Sequence, residues 1–170
     1  MFKEVSEKSG KIVSLRICPG TRQPMSEVET MSLVTGEGII GDSHRLGSVT
    51  RHYSRIATVT TKPTRQVLLM DIETLVKFNL SEGDLRENIT VAGIDFSKLV
   101  KGDHLYLGTE VEVEITGICK PCPRLEEIRE GLENDIYGQR GLLAYTTVGG
   151  SISSGDSVNV KRLDTNIIGS

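Results

Sequence analysis

Apolar and polar residues alternate along most of this chain, in short runs cut by glycine and proline. Lys11 to Cys18 carries Ile12, Val13, Leu15 and Ile17 and stops at Pro19-Gly20, which predicts a first strand. Met25 to Val34 is a second run able to pair with it, ended by a turn at Gly36-Glu37-Gly38. Gly47 to Lys62 is polar and closes at Pro63, the pattern of a long loop. Gln66 to Met70 is a compact apolar run, the mark of a buried strand. Asp71 then offers an N-cap to a helix whose face is Ile72, Leu75, Val76 and Leu80 and which ends at Gly83. Leu85–Val91, Asp103–Leu107 and Glu110–Ile115 read as further strands. A second helix is expected over Pro123–Leu132, with Leu125, Ile128 and Leu132 on one face. Gly141–Val148 and Val158–Leu163 finish the chain as strands, with turns at Gly149-Gly150 and Gly155-Asp156. Short connections favour antiparallel pairing, and closing such a sheet removes its edges. The expectation is a mainly β protein: one domain over residues 1–170, a β-barrel with two or three short helices.

Bulk properties narrow this little. The chain has 170 residues, enough for one core without disulfide or metal staples. Its net charge of −3 gives no general attraction to nucleic acid or anionic lipid, so neither is expected as a partner. The polar N-terminus lacks the apolar stretch of a signal peptide, and no segment nears the roughly 20 apolar residues that cross a bilayer. Three cysteines, an odd number, do not suggest a secreted disulfide framework. A soluble, cytoplasmic protein is expected.

Candidate chemistry gathers at Cys119-Lys120-Pro121-Cys122-Pro123-Arg124, between a strand and the second expected helix. A cysteine at a helix start lies near unpaired N–H groups and the positive end of the helix dipole. Lys120 and Arg124 add charge, and these effects favour the thiolate that attacks electrophiles or binds soft metals. Cys122 fits that position better than Cys119. A thioredoxin-like Cys-x-x-Cys pair, a zinc site drawing on Cys18, His44, His52 or His104, and plain burial of small apolar thiols remain alternatives. Asp42 can orient His44 through a hydrogen bond, although Gly41-Asp42 is equally good turn chemistry. Arg86 and Asn88, two residues apart on one expected strand, would share a face. Arginine suits phosphate and asparagine a heterocycle edge, while a solvent-facing polar strand is the competing reading. Arg65, ahead of the buried strand, and Arg140 are further cations.

In order, these segments resemble the MOSC family, named after the C-terminal domain of molybdenum cofactor sulfurase. The resemblance runs through Gly41-Asp42-x-His44, Arg65-Gln66-Val67, Leu85-Arg86-Glu87-Asn88-Ile89, Gly102-Asp103, Leu107-Gly108, Pro121-Cys122, Arg140-Gly141-Leu142, Gly149-Gly150 and Gly155-Asp156, across about residues 10–162. It implies a MOSC-type, pyruvate-kinase-barrel-like β-barrel in a stand-alone domain. The family's association with pyridoxal phosphate belongs to an attached transferase domain, which is not expected here. It further implies molybdenum cofactor (molybdopterin) as the ligand and Cys122 as the residue that coordinates molybdenum or carries sulfur. Arg65, Arg86 and Arg140 would take the pterin phosphate, with Asn88 at the pterin and Asp42 and His44 at the rim. His44 would be a proton donor. N-hydroxylated bases or amidoximes are the implied substrates, with a cysteine desulfurase as sulfur donor or a reductase as partner. A sulfur carrier without turnover, and a disulfide switch between Cys119 and Cys122, are the alternatives. Cys119 and the small size of the chain depart from the amidoxime-reducing members, which carry an additional N-terminal barrel subdomain.

Overall fold

The computed structural model describes residues 2–4, 9–20, 22–45 and 64–163. The expected loop over Gly47–Lys62 lies outside them. The strands are β1 (Phe2–Glu4), β2 (Gly10–Ile17), β3 (Ser26–Val28), β4 (Thr30–Val34), β5 (Gly38–Ile39), β6 (Val67–Asp71), β7 (Ile89–Ala92), β8 (His104–Leu107), β9 (Val111–Ile118), β10 (Leu142–Val148), β11 (Gly150–Ser153) and β12 (Ser157–Leu163). Two short helices, α1 (Ile72–Lys77) and α2 (Leu132–Asp135), and brief 3-10 turns join them.

The large sheet has the order β1-β12-β8-β9-β10-β6-β7-β2-β3, and β12 also pairs with β2. That extra pairing closes a seven-stranded barrel, with β1 and β3 as outriggers. A second sheet, β11-β4-β5, stands beside it. The mainly β barrel is therefore as the alternation predicts. Pairing differs at one place. β6 and β7 run parallel, because α1 and the following turns carry the chain back across the sheet before β7 begins.

Alternation fills the barrel from the inside. Val67 and Leu69 of β6, Leu142 and Ala144 of β10, and Val111, Val113 and Ile115 of β9 pack with Ile12, Leu15, Ile89 and Leu105 in one apolar cluster. The barrel interior is a buried apolar core. On the opposite face of β6, Met70 joins a smaller cluster of Leu75, Leu85, Leu125, Leu132 and Ile136. That cluster ties the helices and turns to the barrel's outer wall, where the side chains of Leu68 and Leu143 also lie, cross-strand partners in the β6–β10 register.

Five expectations are corrected. The run over 25–34 is two strands: β3 stays on β2, while β4 leaves for the second sheet. The first helix ends at Lys77 and leaves Val76 70% exposed, so its buried face is Leu75 alone. Asp71 sits at its N-cap position, but its carboxylate takes the Thr74 hydroxyl rather than a backbone N–H. The second helix divides into a 3-10 turn over Pro123–Glu127 and α2, because Gly131 between them takes a left-handed φ of 84°. Gly150, read as a turn residue, opens β11.

Candidate functional site

A cavity of about 460 Å³ opens on the outer wall of the barrel. Its floor is Leu68 and Leu143, and its apolar sides are Pro24, Met25, Leu85, Leu125 and Ile128. Of the sequence-predicted residues, His44, Arg65, Arg86, Asn88, Cys122 and Arg140 all line it. Cys119 lines it too, and Asp42 stands behind His44. These residues share one pocket, at the outer wall of the barrel.

Cys122 is half-buried and starts the 3-10 turn with extended backbone, φ −135° and ψ 160°. Its side chain caps nothing, so the sulfur is left to the cavity. A turn of five residues has little dipole to offer, so the helix-dipole argument does not apply. The positive surroundings come from Arg65, Arg86, Arg124 and Arg140. Cys119 is 5% exposed and fixed by its N–H to the Gly141 carbonyl at 2.9 Å. No bend or turn forms between residues 119 and 122, unlike the helical turn a thioredoxin-like pair needs. The zinc reading finds no support either, since among the described residues no three His, Cys, Asp or Glu side chains gather as ligands.

Arg140 is the most telling member. It is 7% exposed, and its Nε and Nη1 have no hydrogen-bond partner among the described residues. A buried guanidinium without an acceptor is costly, so it marks a place where an anion belongs. The next residue explains its position. Gly141 has φ 116°, and a Cβ there would meet the Leu69 carbonyl oxygen at 2.6 Å. Only glycine lets the chain press this close to β6 and turn Arg140 inward.

Arg86 is not on a strand. It has a left-handed φ of 61°, and β7 starts only at Ile89, so the shared-face argument for Arg86 and Asn88 fails. Arg86 reaches the wall from a turn, its Nη2 donating to Cys18 Sγ at 2.9 Å and to the Gln23 carbonyl at 2.8 Å. Asn88 is a stitch between segments. Its Oδ1 accepts from Leu68 N at 3.0 Å, and its Nδ2 donates to Arg16 O at 3.2 Å and Asp42 Oδ1 at 3.1 Å. Its amide is thereby largely spent on the fold.

Asp42 is a buried hub. Oδ1 accepts the Cys18 N–H at 2.6 Å, and Oδ2 meets the His44 N–H at 2.9 Å and His44 Nδ1 at 2.8 Å. Burial alone would raise its pKa, but the hydrogen bond and charge of His44 and the two backbone N–H groups hold it below the ordinary aspartate value. Asp42 therefore stays ionised and fixes the His44 ring at the cavity edge, as the spacing suggests. Asp84 and Glu127 also line the cavity, and neither is marked in the sequence except by lying beside Arg86 and Arg124.

The MOSC domain profile matches residues 44–159. The chain belongs to the MOSC domain family. No curated protein matches this MOSC domain significantly. Solved structures do. It is similar to the YuaD protein from Bacillus subtilis, at 20% identity, with 96% of this chain and 100% of that one covered and a TM-score of 0.76. YiiM from Geobacillus stearothermophilus follows at 16% identity, 89% and 74% coverage and a TM-score of 0.65. YiiM from Escherichia coli aligns at 15% identity, 88% and 69% coverage and a TM-score of 0.59. At these identities the likeness speaks for the fold. Among the described residues, no helix of the MOSC domain is long and apolar enough to cross a membrane.

Proposed function

We propose that this MOSC domain binds molybdenum cofactor in the outer-wall cavity, with the Cys122 sulfur as the protein's ligand to the metal. The observation that carries the reading is Arg140, buried in a cavity wall with its Nε and Nη1 without a partner among the described residues. A phosphate is the natural answer, since a guanidinium fork pairs with it in a planar, charge-assisted way. The residues present fit the group. The cavity volume of about 460 Å³ lies within the ordinary range for ligand pockets, roughly 300–1,000 Å³. Arg65, Arg86 and Arg140 supply cations, Leu68, Leu143 and Leu85 an apolar bed for a heterocycle, and Cys122 a soft donor. No cage of protein ligands is needed if the metal arrives already held by the pterin. When bound, the cofactor supplies two-electron redox chemistry at molybdenum.

The chain's own residues hold and orient. Asp42 keeps His44 Nδ1 engaged, so the ring is presented at a fixed angle and can donate or accept a proton there. Pro24, Met25 and Ile128 give the cavity an apolar side. N-hydroxylated bases are the substrate class we propose, with a cytoplasmic reductase as electron donor. The test is molybdenum content per chain after expression in a host that makes the cofactor. Wild type should retain the metal, and Cys122→Ser and Arg140→Met should lose most of it. Equal, near-zero contents in all three would reject direct binding.

A second reading is favoured by the same thiol: half-exposed Cys122, capping nothing, could accept a sulfur atom as persulfide and deliver it. Incubation with a cysteine desulfurase and cysteine should then add one sulfur to Cys122 by mass spectrometry. A wild-type chain that stays unmodified rejects it.

A further inference from the structure

Glu87 is a buried carboxyl that the reading above leaves unused. It is 1% exposed, and its Oε2 has no partner among the described residues. Its Oε1 accepts the Gly83 N–H and, at 3.3 Å, the Thr90 hydroxyl. Gly83 and Arg86 are the two left-handed residues of one turn, with φ 90° and 61°, joined by Arg86 N to Gly83 O at 2.9 Å. Glycine takes that conformation freely. An arginine in it costs about 1–2 kcal/mol and persists only where its surroundings over-determine it. The carboxyl of Glu87 reaches back to the Gly83 N–H at the start of the turn. Beyond the turn, the Arg86 guanidinium lies on Cys18 Sγ, itself 1% exposed, and forms part of the cavity wall.

We propose that Glu87 is the positioning residue for Arg86: its carboxyl clamps the Gly83 N–H, holds the turn left-handed, and so keeps the guanidinium over Cys18 at the cavity wall. Burial pushes the Glu87 carboxyl above the ordinary glutamate value, with its hydrogen bonds and the charge of Arg16 opposing. Glutamine is a near-isostere of this side chain, with an oxygen still able to accept from Gly83. Methionine fills the space without an acceptor, and aspartate keeps the acid but withdraws it by one methylene. Only for its anion arm does the proposal rest on the function proposed above.

The experiment has two arms on the folded full chain. In the first, iodoacetamide alkylation of Cys18 is followed by mass spectrometry. Glu87→Met and Glu87→Asp should each react about tenfold faster than wild type, the size expected for losing a hydrogen bond that organises a turn. Glu87→Gln should stay within about threefold. In the second arm, inorganic phosphate is titrated by calorimetry. Glu87→Met should weaken binding about tenfold, and Arg86→Ala with Glu87→Met should be no weaker than Arg86→Ala alone. Cys18 as protected in both Glu87→Met and Glu87→Asp as in wild type overturns the proposal, as do fully additive effects in the double variant. Should either single variant fail to fold, the other decides the alkylation arm. Wild type that binds no phosphate counts against the cavity reading, and the alkylation arm still judges Glu87.

Discussion

The inside of the barrel and the cavity on its outer wall are built from the same strands by opposite rules. On β6, Val67 and Leu69 face inward into an apolar cluster, while Leu68 between them faces the cavity. On β10, Leu142 and Ala144 face inward and Leu143 outward. The interior is an apolar cluster, interrupted by few polar groups such as Thr146, whose buried hydroxyl has no partner among the described residues. The wall carries Arg140 N–H groups without a partner among the described residues, left-handed residues at Gly83 and Arg86, and a sulfur that caps nothing. The difference teaches that the barrel supplies rigidity and the strand-to-strand connections supply the site. Strain and unsatisfied polarity at the wall are tolerable because the interior over-determines the frame.

The comparison breaks first if the interior proves dispensable. Leu69→Ala, at a fully buried position, should cost about 4 kcal/mol of unfolding free energy, within the roughly 2–5 kcal/mol span for such truncations. Urea denaturation checks it, and a loss under about 1 kcal/mol would mean the barrel is not the frame. Asp42→Ala comes next. It strands the Cys18 N–H, one amide hydrogen of Asn88 and the His44 ring, and should cost about 3 kcal/mol.

The same residue gives a signed pH effect. Its folded pKa lies below the unfolded one, so the unfolded chain binds more protons between the two and stability falls as pH drops. The contribution is complete at neutral pH, starts to fade near the ordinary aspartate value of 3.8, and is gone below the folded pKa. Asp42→Asn should remove that acid limb from a stability–pH curve. Glu87 has the opposite sign. Its folded pKa is raised, so its contribution is full below the ordinary glutamate value and is lost as pH rises through the folded one.

The smallest expected effect sharpens the contrast most. Arg140→Met should leave stability unchanged or raise it by up to about 1 kcal/mol, because it removes a buried cation whose Nε and Nη1 have no acceptor among the described residues. Thermal unfolding of the ligand-free chain measures this. A loss of about 2 kcal/mol would mean that Arg140 serves the frame and not a ligand.

Sequence reading went furthest where one face is buried and the period is two. β2, β6, β8, β9, β10 and β12 all stand within a residue or a few of the expected runs, because alternation records the inside of the barrel directly. The helices were less legible. Leu125, Ile128 and Leu132 fit a helical face on paper, but Gly131 breaks the chain between them, and Ile128 ends 41% exposed at the cavity. The candidate residues His44, Arg65, Arg86, Asn88, Cys122 and Arg140, picked out through the order of their motifs more than through any one of them, line one cavity.

What the chain alone determined is the barrel, since the alternating pattern permits no other side to be buried. It also marked Cys122 and its arginines as the residues with chemistry to spare. Only the tertiary structure decided what each polar group does. Asn88, with three contacts to Leu68, Arg16 and Asp42, is bound to the frame, whereas Arg140, equally polar on paper, has Nε and Nη1 without a partner among the described residues. Residue type fixes how many hydrogen bonds a group can make, but which of them the protein itself uses depends on backbone brought in from 20 to 72 positions away.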